Sequence, residues 1–340
     1  MKKEDDRNIL VRMPNWLGDL VMATPVLSDL RQLYPHAKIT AMCQGSVGQL
    51  LVGNPFVDKI FSFSRPKGFF RKKERKLLIE TIRQGHYDLG ILLTNSFSSS
   101  WWFFCGRVKQ RVGYVTDGRR FLLTSSVRLE KKRIEEHLVI SYKRIIGTQN
   151  SETTPKLFLT KQDQKEATAY LERLRIQKNT TLIGLNPGAA YGPSKCWPKE
   201  NYRALAAKLV KHPSYTVLVF GDEVYLAREI CRGLPNHVIN LAGKTTLRQL
   251  MSLIAKLDLF VTNDSGPMHM AAALETPLIA LFGSTNRHVT GPYQQGIVID
   301  KEVECAPCYL RRCPIDFKCM KQIKVDEVYE AIIRERAEGR

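Results

Sequence analysis

The sequence predicts an α/β protein made of two doubly wound, Rossmann-like domains. Short apolar runs alternate with amphipathic segments along the chain, the pattern of parallel strands covered by helices on both faces. The alternation stops once, in the polar stretch SETTPKLFLTKQDQKE between about 150 and 165, and then restarts. At 340 residues the chain also exceeds one ordinary core and suits two domains of about 150 residues each. The expected divisions are residues 1–160, 161–324 and a C-terminal helix, 325–340, packing back on the first domain.

In the first half, NILVRM (8–13) is an apolar run bounded by charge and Pro14, and reads as a buried strand. PNWLGD follows as a loop, and LVMATPVLSDLRQLY reads as one helix. KITAMC (38–43), DKIFSF (58–63), YDLGILLT (87–94) and RVGYV (111–115) continue the strands, with SVGQLLVGN a short helix ending near Gly53. In the second half the strands are TLIGLNPG (181–188), TVLVFG (216–221), HVINLAG, DLFVTN and PLIALFG. Between them come ENYRALAAKLV, a helix from about Glu223, TLRQLMSLIAKL and GPMHMAAAL. Open α/β sheets bind ligands beyond the carboxyl ends of their strands, so chemistry belongs in the loops after strands.

Composition narrows the function. Hydrophobic residues at 44% and aromatics at 9% predict a folded chain rather than a disordered one. The start, MKKEDDRN, has no apolar core and predicts no secretory signal. No apolar stretch approaches the roughly 20 residues that span a bilayer, so a cytoplasmic protein is expected. The net charge of +19 suits polyanions: nucleic acid, anionic membrane or a phosphorylated substrate. No zinc finger, basic zipper or RNA-binding aromatic signature accompanies it, which argues against nucleic acid.

Three loops carry candidate chemistry. Pro14-Asn15-Trp16-Leu17-Gly18-Asp19 ends the first strand; Gly18 permits close backbone approach, and Asp19 either caps the next helix or serves as a base toward a sugar hydroxyl. Asn186-Pro187-Gly188-Ala189-Ala190-Tyr191-Gly192-Pro193-Ser194-Lys195-Cys196-Trp197-Pro198 is a long turn whose amides and single Lys suit a diphosphate, or else a surface turn with a solvated Lys. It lacks the spacing of a Walker loop. Thr262-Asn263-Asp264-Ser265-Gly266-Pro267-Met268-His269 opens a helix whose first amides form a second anion site. Asp264 there is free to orient a ribose, an ammonium or His269, and His269 alone reads equally as a packed helix residue.

Taken in order, VRMPNWLGDLVMATPVLSDLRQLYP, NPGAAYGPSKCWP and VTNDSGPMHMAAALETPLIALFGST resemble the ADP-heptose:lipopolysaccharide heptosyltransferases of glycosyltransferase family nine, over nearly the whole chain. The YGPSK-x-WP and NDSG-x-MH stretches are specific to them; GD-x-x-x-x-TP is shared more widely in the family. The resemblance implies a GT-B fold, two Rossmann-like domains facing a central cleft, with acceptor on the first and ADP-heptose on the second. It implies inverting transfer to the heptosyl-Kdo2-lipid A inner core, without a metal or other cofactor. Asp19 would be the general base. Lys195 would contact the donor diphosphate, with Ala190, Tyr191 and Gly192 lining the same loop, and Glu223 would hold the ribose. Asp264, Ser265, Gly266 and His269 would bind heptose and diphosphate, with Asn15, Trp16 and Gly18 on the acceptor side. The implied partners are ADP-heptose and a Kdo-lipid A type anionic glycolipid, met by a monomer in peripheral contact with the inner membrane, with no nucleic acid. Many relatives carry Arg or His where this chain has Cys196.

Outside these loops, Arg65, Lys67, Arg71, Lys72, Lys73, Arg75 and Lys76 crowd around Phe69 and Phe70. They read as a solvated helix start or as a loop meeting acceptor carboxylates and phosphates at the inner leaflet. Trp101, Trp102, Phe103 and Phe104 read as an interfacial contact or a buried helix face. Cys305, Cys308, Cys313 and Cys319 show only one C-x-x-C pair, so a reduced cluster packing the C-terminal segment is preferred over zinc. Two other functions stay open: a related transferase acting on another core acceptor, and a nucleotide or nucleic-acid binding module suggested by charge alone.

Overall fold

The computed structural model describes residues 7–65, 71–128, 135–176 and 180–338. Within it the chain divides after Phe158 into two compact units.

The first unit contains β1 (Asn8–Arg12), α1 (Leu17–Met22), α2 (Thr24–Leu33), β2 (Lys38–Gln44), β3 (Lys59–Phe63), α3 (Arg71–Gln84), β4 (Leu89–Leu92), α4 (Phe97–Cys105), β5 (Gln110–Tyr114), β6 (Ser125–Val127) and α5 (Leu138–Arg144). Its six strands are parallel in the order β3-β2-β1-β4-β5-β6. Leu10 and Leu92 of the sheet pack with Leu78 and Ile82 of α3 and with Trp102 and Phe103 of α4 in one core.

The segment expected to be one helix is two. Pro25 stands in the first turn of α2, has no N–H, and cannot donate to the carbonyl four residues back, Val21. The Thr24 hydroxyl donates to that carbonyl instead, at 2.8 Å, and the chain turns at Ala23. At the start of the polar stretch where the alternation stops, the chain is pinned. Buried Asp29 accepts O–H bonds from Thr148, Ser151 and Thr153 at 2.5 to 2.9 Å, while buried Lys143 donates to the Ser151 and Thr153 carbonyls.

The second unit contains α6 (Lys161–Arg173), β7 (Thr181–Asn186), α7 (Lys199–Leu209), β8 (Tyr215–Val219), α8 (Val224–Cys231), β9 (Val238–Asn240), α9 (Leu247–Ile254), β10 (Leu259–Asn263), α10 (Gly266–Ala273), β11 (Leu278–Leu281), α11 (Arg287–Thr290), β12 (Ile297–Ile299), α12 (Lys318–Lys321) and α13 (Val325–Glu338). Its order, β12-β11-β10-β7-β8-β9, repeats that of the first sheet, again all parallel. In both sheets the order reverses beside the first strand, between β1 and β4 and between β7 and β10, which opens a crevice at the carboxyl edge. The C-terminal helix α13 packs on α7, with Val328 and Ile332 fully buried in the second unit's core.

All eight cysteines are free thiols. Cys319 lies buried under Gly283, where a Cβ would stand 3.0 Å from its sulfur. Burial pushes this thiol up, and the nearby Cys305, Cys313 and Cys308 add to the effect. Among the described residues, no group of three or more His, Cys, Asp or Glu side chains is arranged to hold a metal ion. No helix among them is long and apolar enough to cross a membrane.

Candidate active site

In the first unit the loop after β1 is organised from below by Arg12. Its guanidinium is buried, lies 4.8 Å over the Phe63 ring, and donates to Asn15 Oδ1 at 2.5 Å and to the Met42 carbonyl at 3.4 Å. Burial pulls its pKa down to about 10, with Cys43 acting the other way. Asn15 is thus held by its side chain while Trp16 stands exposed. Trp16 is the N-cap of α1, without a side-chain capping bond, and Asp19 sits in the first turn. The capping alternative for Asp19 therefore falls to geometry: it lies three residues past the cap. Its half-buried carboxylate accepts from the Tyr142 hydroxyl of α5 at 3.3 Å. Burial, then the charge of Asp19, raises the Tyr142 pKa well above the ordinary phenol value, so this hydroxyl stays a donor at neutral pH.

The loop after β4 converges on the same edge and is fixed by Arg119, which is fully buried. It donates to the Tyr114 carbonyl at 3.0 Å, the Thr94 carbonyl at 2.5 Å and Asn95 Oδ1 at 3.4 Å. Burial lowers its pKa to about 10, with Asp117 opposing.

In the second unit, four strand-end loops meet. Lys195, near the end of the long loop after β7, pairs with Asp264 after β10; their side chains are 11% and 4% exposed. Thr285, after β11, donates to the same Asp264 oxygen at 2.5 Å. The ammonium also lies 4.7 Å from the centre of the Tyr191 ring, and the Arg311 guanidinium lies 5.4 Å from it. Tyr191 is anchored in turn through its hydroxyl to the Tyr309 carbonyl at 2.5 Å. Gly192, at φ 152°, passes so close to Arg311 that a Cβ would stand 2.5 Å from that carbonyl. The alternative of a solvated surface Lys does not describe this site. Asp264 takes the ammonium, the second of the three partners the sequence left open, and restrains it without using up its three N–H donors.

Asn186 ties the two main loops together, donating to Ser265 Oγ and Thr262 Oγ1, both at 3.1 Å. Ser265 is the N-cap of α10, yet its hydroxyl turns inward to these partners and makes no capping bond. Gly266 begins the helix, and His269 is buried within it. Asn263 holds the rest: it donates to the Pro187 carbonyl at 2.7 Å and accepts from the Trp197 amide at 3.0 Å and the Tyr202 hydroxyl at 2.9 Å.

Other residues stand apart from this cluster. Ala190 is exposed on the loop. Glu223 is exposed at the N-cap of α8, with its carboxylate 3.4 Å from where a Cβ on Gly188 would lie. Cys196, next to Lys195 in the loop, is a thiol that burial, then Glu223, pushes up to about 11, so it is uncharged at neutral pH. Arg71, Lys72 and Lys73 are exposed on the first turn of α3; Lys67, Phe69 and Phe70 lie outside the described residues. Sequence reasoning missed Tyr142, Arg12, Arg119 and Thr285. Thr285 carried a usable signal, a hydroxyl residue in the short loop just past the buried strand β11; the others carried none.

Two sheets of Rossmann order, each with polar loops at its carboxyl edge, place the protein in the α/β class with the GT-B type of architecture. Its coordinates match the solved structure of the Escherichia coli ADP-heptose LPS heptosyltransferase II with a TM-score of 0.85, 28% identity, and coverage of 98% of this chain and 99% of that one. The sequence profile of glycosyltransferase family 9 (heptosyltransferase) matches residues 75–318. The chain belongs to that family. It is 33% identical over 315 residues to the lipooligosaccharide heptosyltransferase 2 of Haemophilus ducreyi, covering 87% of this chain and 89% of the relative. It is likewise 33% identical to the lipopolysaccharide heptosyltransferase 2 of Escherichia coli, over 84% of this chain and 85% of that one.

Proposed function

We propose that this chain transfers heptose, with inversion and without a metal, from ADP-L-glycero-D-manno-heptose to a heptosyl-Kdo2-lipid A type anionic glycolipid in lipopolysaccharide core synthesis. The observation that carries the reading is the restrained Lys195 ammonium beside the α10 N-terminus, in a chain whose relatives are named heptosyltransferase 2. In this reading the second unit takes the donor, and Ala190, Tyr191, Gly192, Ser265, Gly266 and His269 surround its diphosphate and sugar. As the glycosidic bond to ADP breaks, negative charge grows on the diphosphate, and Lys195 with the positive end of α10 stabilises it. Asp264 keeps the ammonium in position, and Glu223 reaches the ribose. The first unit takes the acceptor along Asn15, Trp16, Gly18 and the basic start of α3. Asp19 removes the proton from the acceptor hydroxyl as its oxygen attacks the anomeric carbon. In this reading the acceptor is a membrane glycolipid, so the protein meets it at the cytoplasmic face of the inner membrane; that it does so as a monomer is part of the same proposal.

The test is direct. The protein is incubated with ADP-heptose and defined core acceptors bearing zero or one heptose, and the products are weighed. Gain of one heptose on the mono-heptosylated acceptor supports the reading; gain only on the heptose-free acceptor assigns a different core position. Asp19→Ala should abolish transfer and leave ADP binding nearly intact. Equal loss of both would make Asp19 a structural residue.

A further inference from the structure

We propose that the exposed aromatic stripe of α4, together with Phe121, is the surface by which this chain seats on an anionic phospholipid bilayer. The inference rests on the membrane-glycolipid acceptor proposed above. The run Trp101–Phe104 is neither wholly buried nor wholly exposed: the helix divides it. Trp102 and Phe103 enter the core. Phe97, Trp101 and Phe104 recur at intervals of four and three residues, which lines them on one outer stripe. They are 38%, 38% and 47% exposed. A turn far along the chain, Arg120–Leu122, adds Phe121 at 71% exposure.

The four rings are contiguous. Phe97 stacks on Trp101 at 6.3 Å between ring centres, Trp101 meets Phe104 at 5.9 Å, and Phe97 meets Phe121 at 6.0 Å. A continuous aromatic patch on the outside of a folded unit marks an interaction surface. Its rim is cationic. The Arg111 guanidinium lies 5.4 Å over the Phe104 ring, and Arg107, Lys109 and Arg120, close along the chain to the end of α4 and to Phe121, are exposed. Basic α3 runs alongside, with Arg83 donating to the Cys105 carbonyl at the end of α4 at 3.2 Å. Carboxylates offset part of this charge: Asp117 accepts from the Phe97 amide at 2.7 Å, Asp88 pairs with Lys109 at 2.8 Å, and Glu80 pairs with Arg83 at 2.8 Å.

Charge chooses the occupant. A second copy would bring its own cationic rim against this one, whereas anionic headgroups complement it while the rings enter the headgroup–acyl boundary. At nine residues α4 is far too short to cross a bilayer, and its apolar stripe suits lying in the interface.

The full-length protein is sedimented with vesicles of phosphatidylglycerol and phosphatidylethanolamine, and with vesicles of phosphatidylcholine alone. Binding should favour the anionic vesicles and weaken at high salt. The exposed-site variant Trp101→Ser/Phe104→Ser/Phe121→Ser should lose about 10-fold or more in partitioning at unchanged melting temperature. Brominated lipid should quench Trp101, and the Trp101→Phe variant should lose that quenching although Trp16, Trp102 and Trp197 remain. Equal partitioning of the triple variant, or no difference in quenching, overturns the proposal. So does the discovery that the wild type is a dimer that the triple variant dissolves. A short, water-soluble acceptor separates the two readings: the triple variant should process it like wild type. If the wild type transfers heptose to no acceptor, the proposed function fails while the vesicle result still decides the docking surface.

Discussion

The Lys195 ammonium and the Asp264 carboxylate are both nearly out of water, so each depends on the other. Removing the carboxylate leaves an unmatched buried cation, and Asp264→Ala should destabilise the second unit by about 3–5 kcal/mol in urea unfolding. Thr285→Val removes a single hydrogen bond to the same oxygen and should cost about 1–3 kcal/mol. A second residue prediction concerns pH. The Tyr142 hydroxyl donates to Asp19, and a donor to the ionised form favours ionisation. Tyr142→Phe should therefore move the acid limb of the kcat/KM profile to higher pH, with the protein folded; an unmoved limb would separate Asp19 from the titrating step. Gly192 makes a third case. A side chain there meets the Arg311 carbonyl at 2.5 Å in a backbone region that L residues rarely adopt. Gly192→Ala should displace the Tyr191–Lys195 loop and raise the KM for donor more than it lowers kcat.

At the scale of elements, caps and ties decide where helices begin and what they hold. Thr160 and Asp163 form a capping box at the start of α6, and Asp163 is also gripped by Arg248 of α9. Burial pushes the Asp163 carboxyl up, but the hydrogen bonds from Arg248 and Thr160 outweigh it, so it titrates below the usual range. A depressed folded value gives stability that is complete above the unfolded carboxylate value, about 3.9, and is lost as pH falls through the folded value. Asp163→Asn should accordingly lower the melting temperature at neutral pH, with the gap from the parent closing below about pH 4. The break between α1 and α2 follows similar logic, since the Thr24 hydroxyl both supplies the donor that Pro25 lacks and accepts from the Lys156 amide at 3.1 Å. The proline was visible in the sequence; the hydroxyl's tie to the Lys156 amide was not, because it depends on where residue 156 returns.

For the whole molecule, a charge of +19 should make encounters with the proposed anionic acceptor sensitive to salt. Replacing Arg71, Lys72 and Lys73 by Ala should raise the acceptor KM at low ionic strength and matter less at high; an unchanged KM would return these residues to simple solvation. The twofold α/β plan and the loops that end β1, β7 and β10 were legible from the sequence alone. Apolar runs of strand length, bounded by glycine and proline, are local features set by neighbouring residues. The sheet orders, the Asp264–Lys195–Thr285 contact, the Tyr142 hydroxyl beside Asp19 and the meeting of Phe97 with Phe121 were decided only by tertiary structure. Each joins side chains far apart along the chain, and residue type says what a group can bond to but not which group the folded backbone delivers to it.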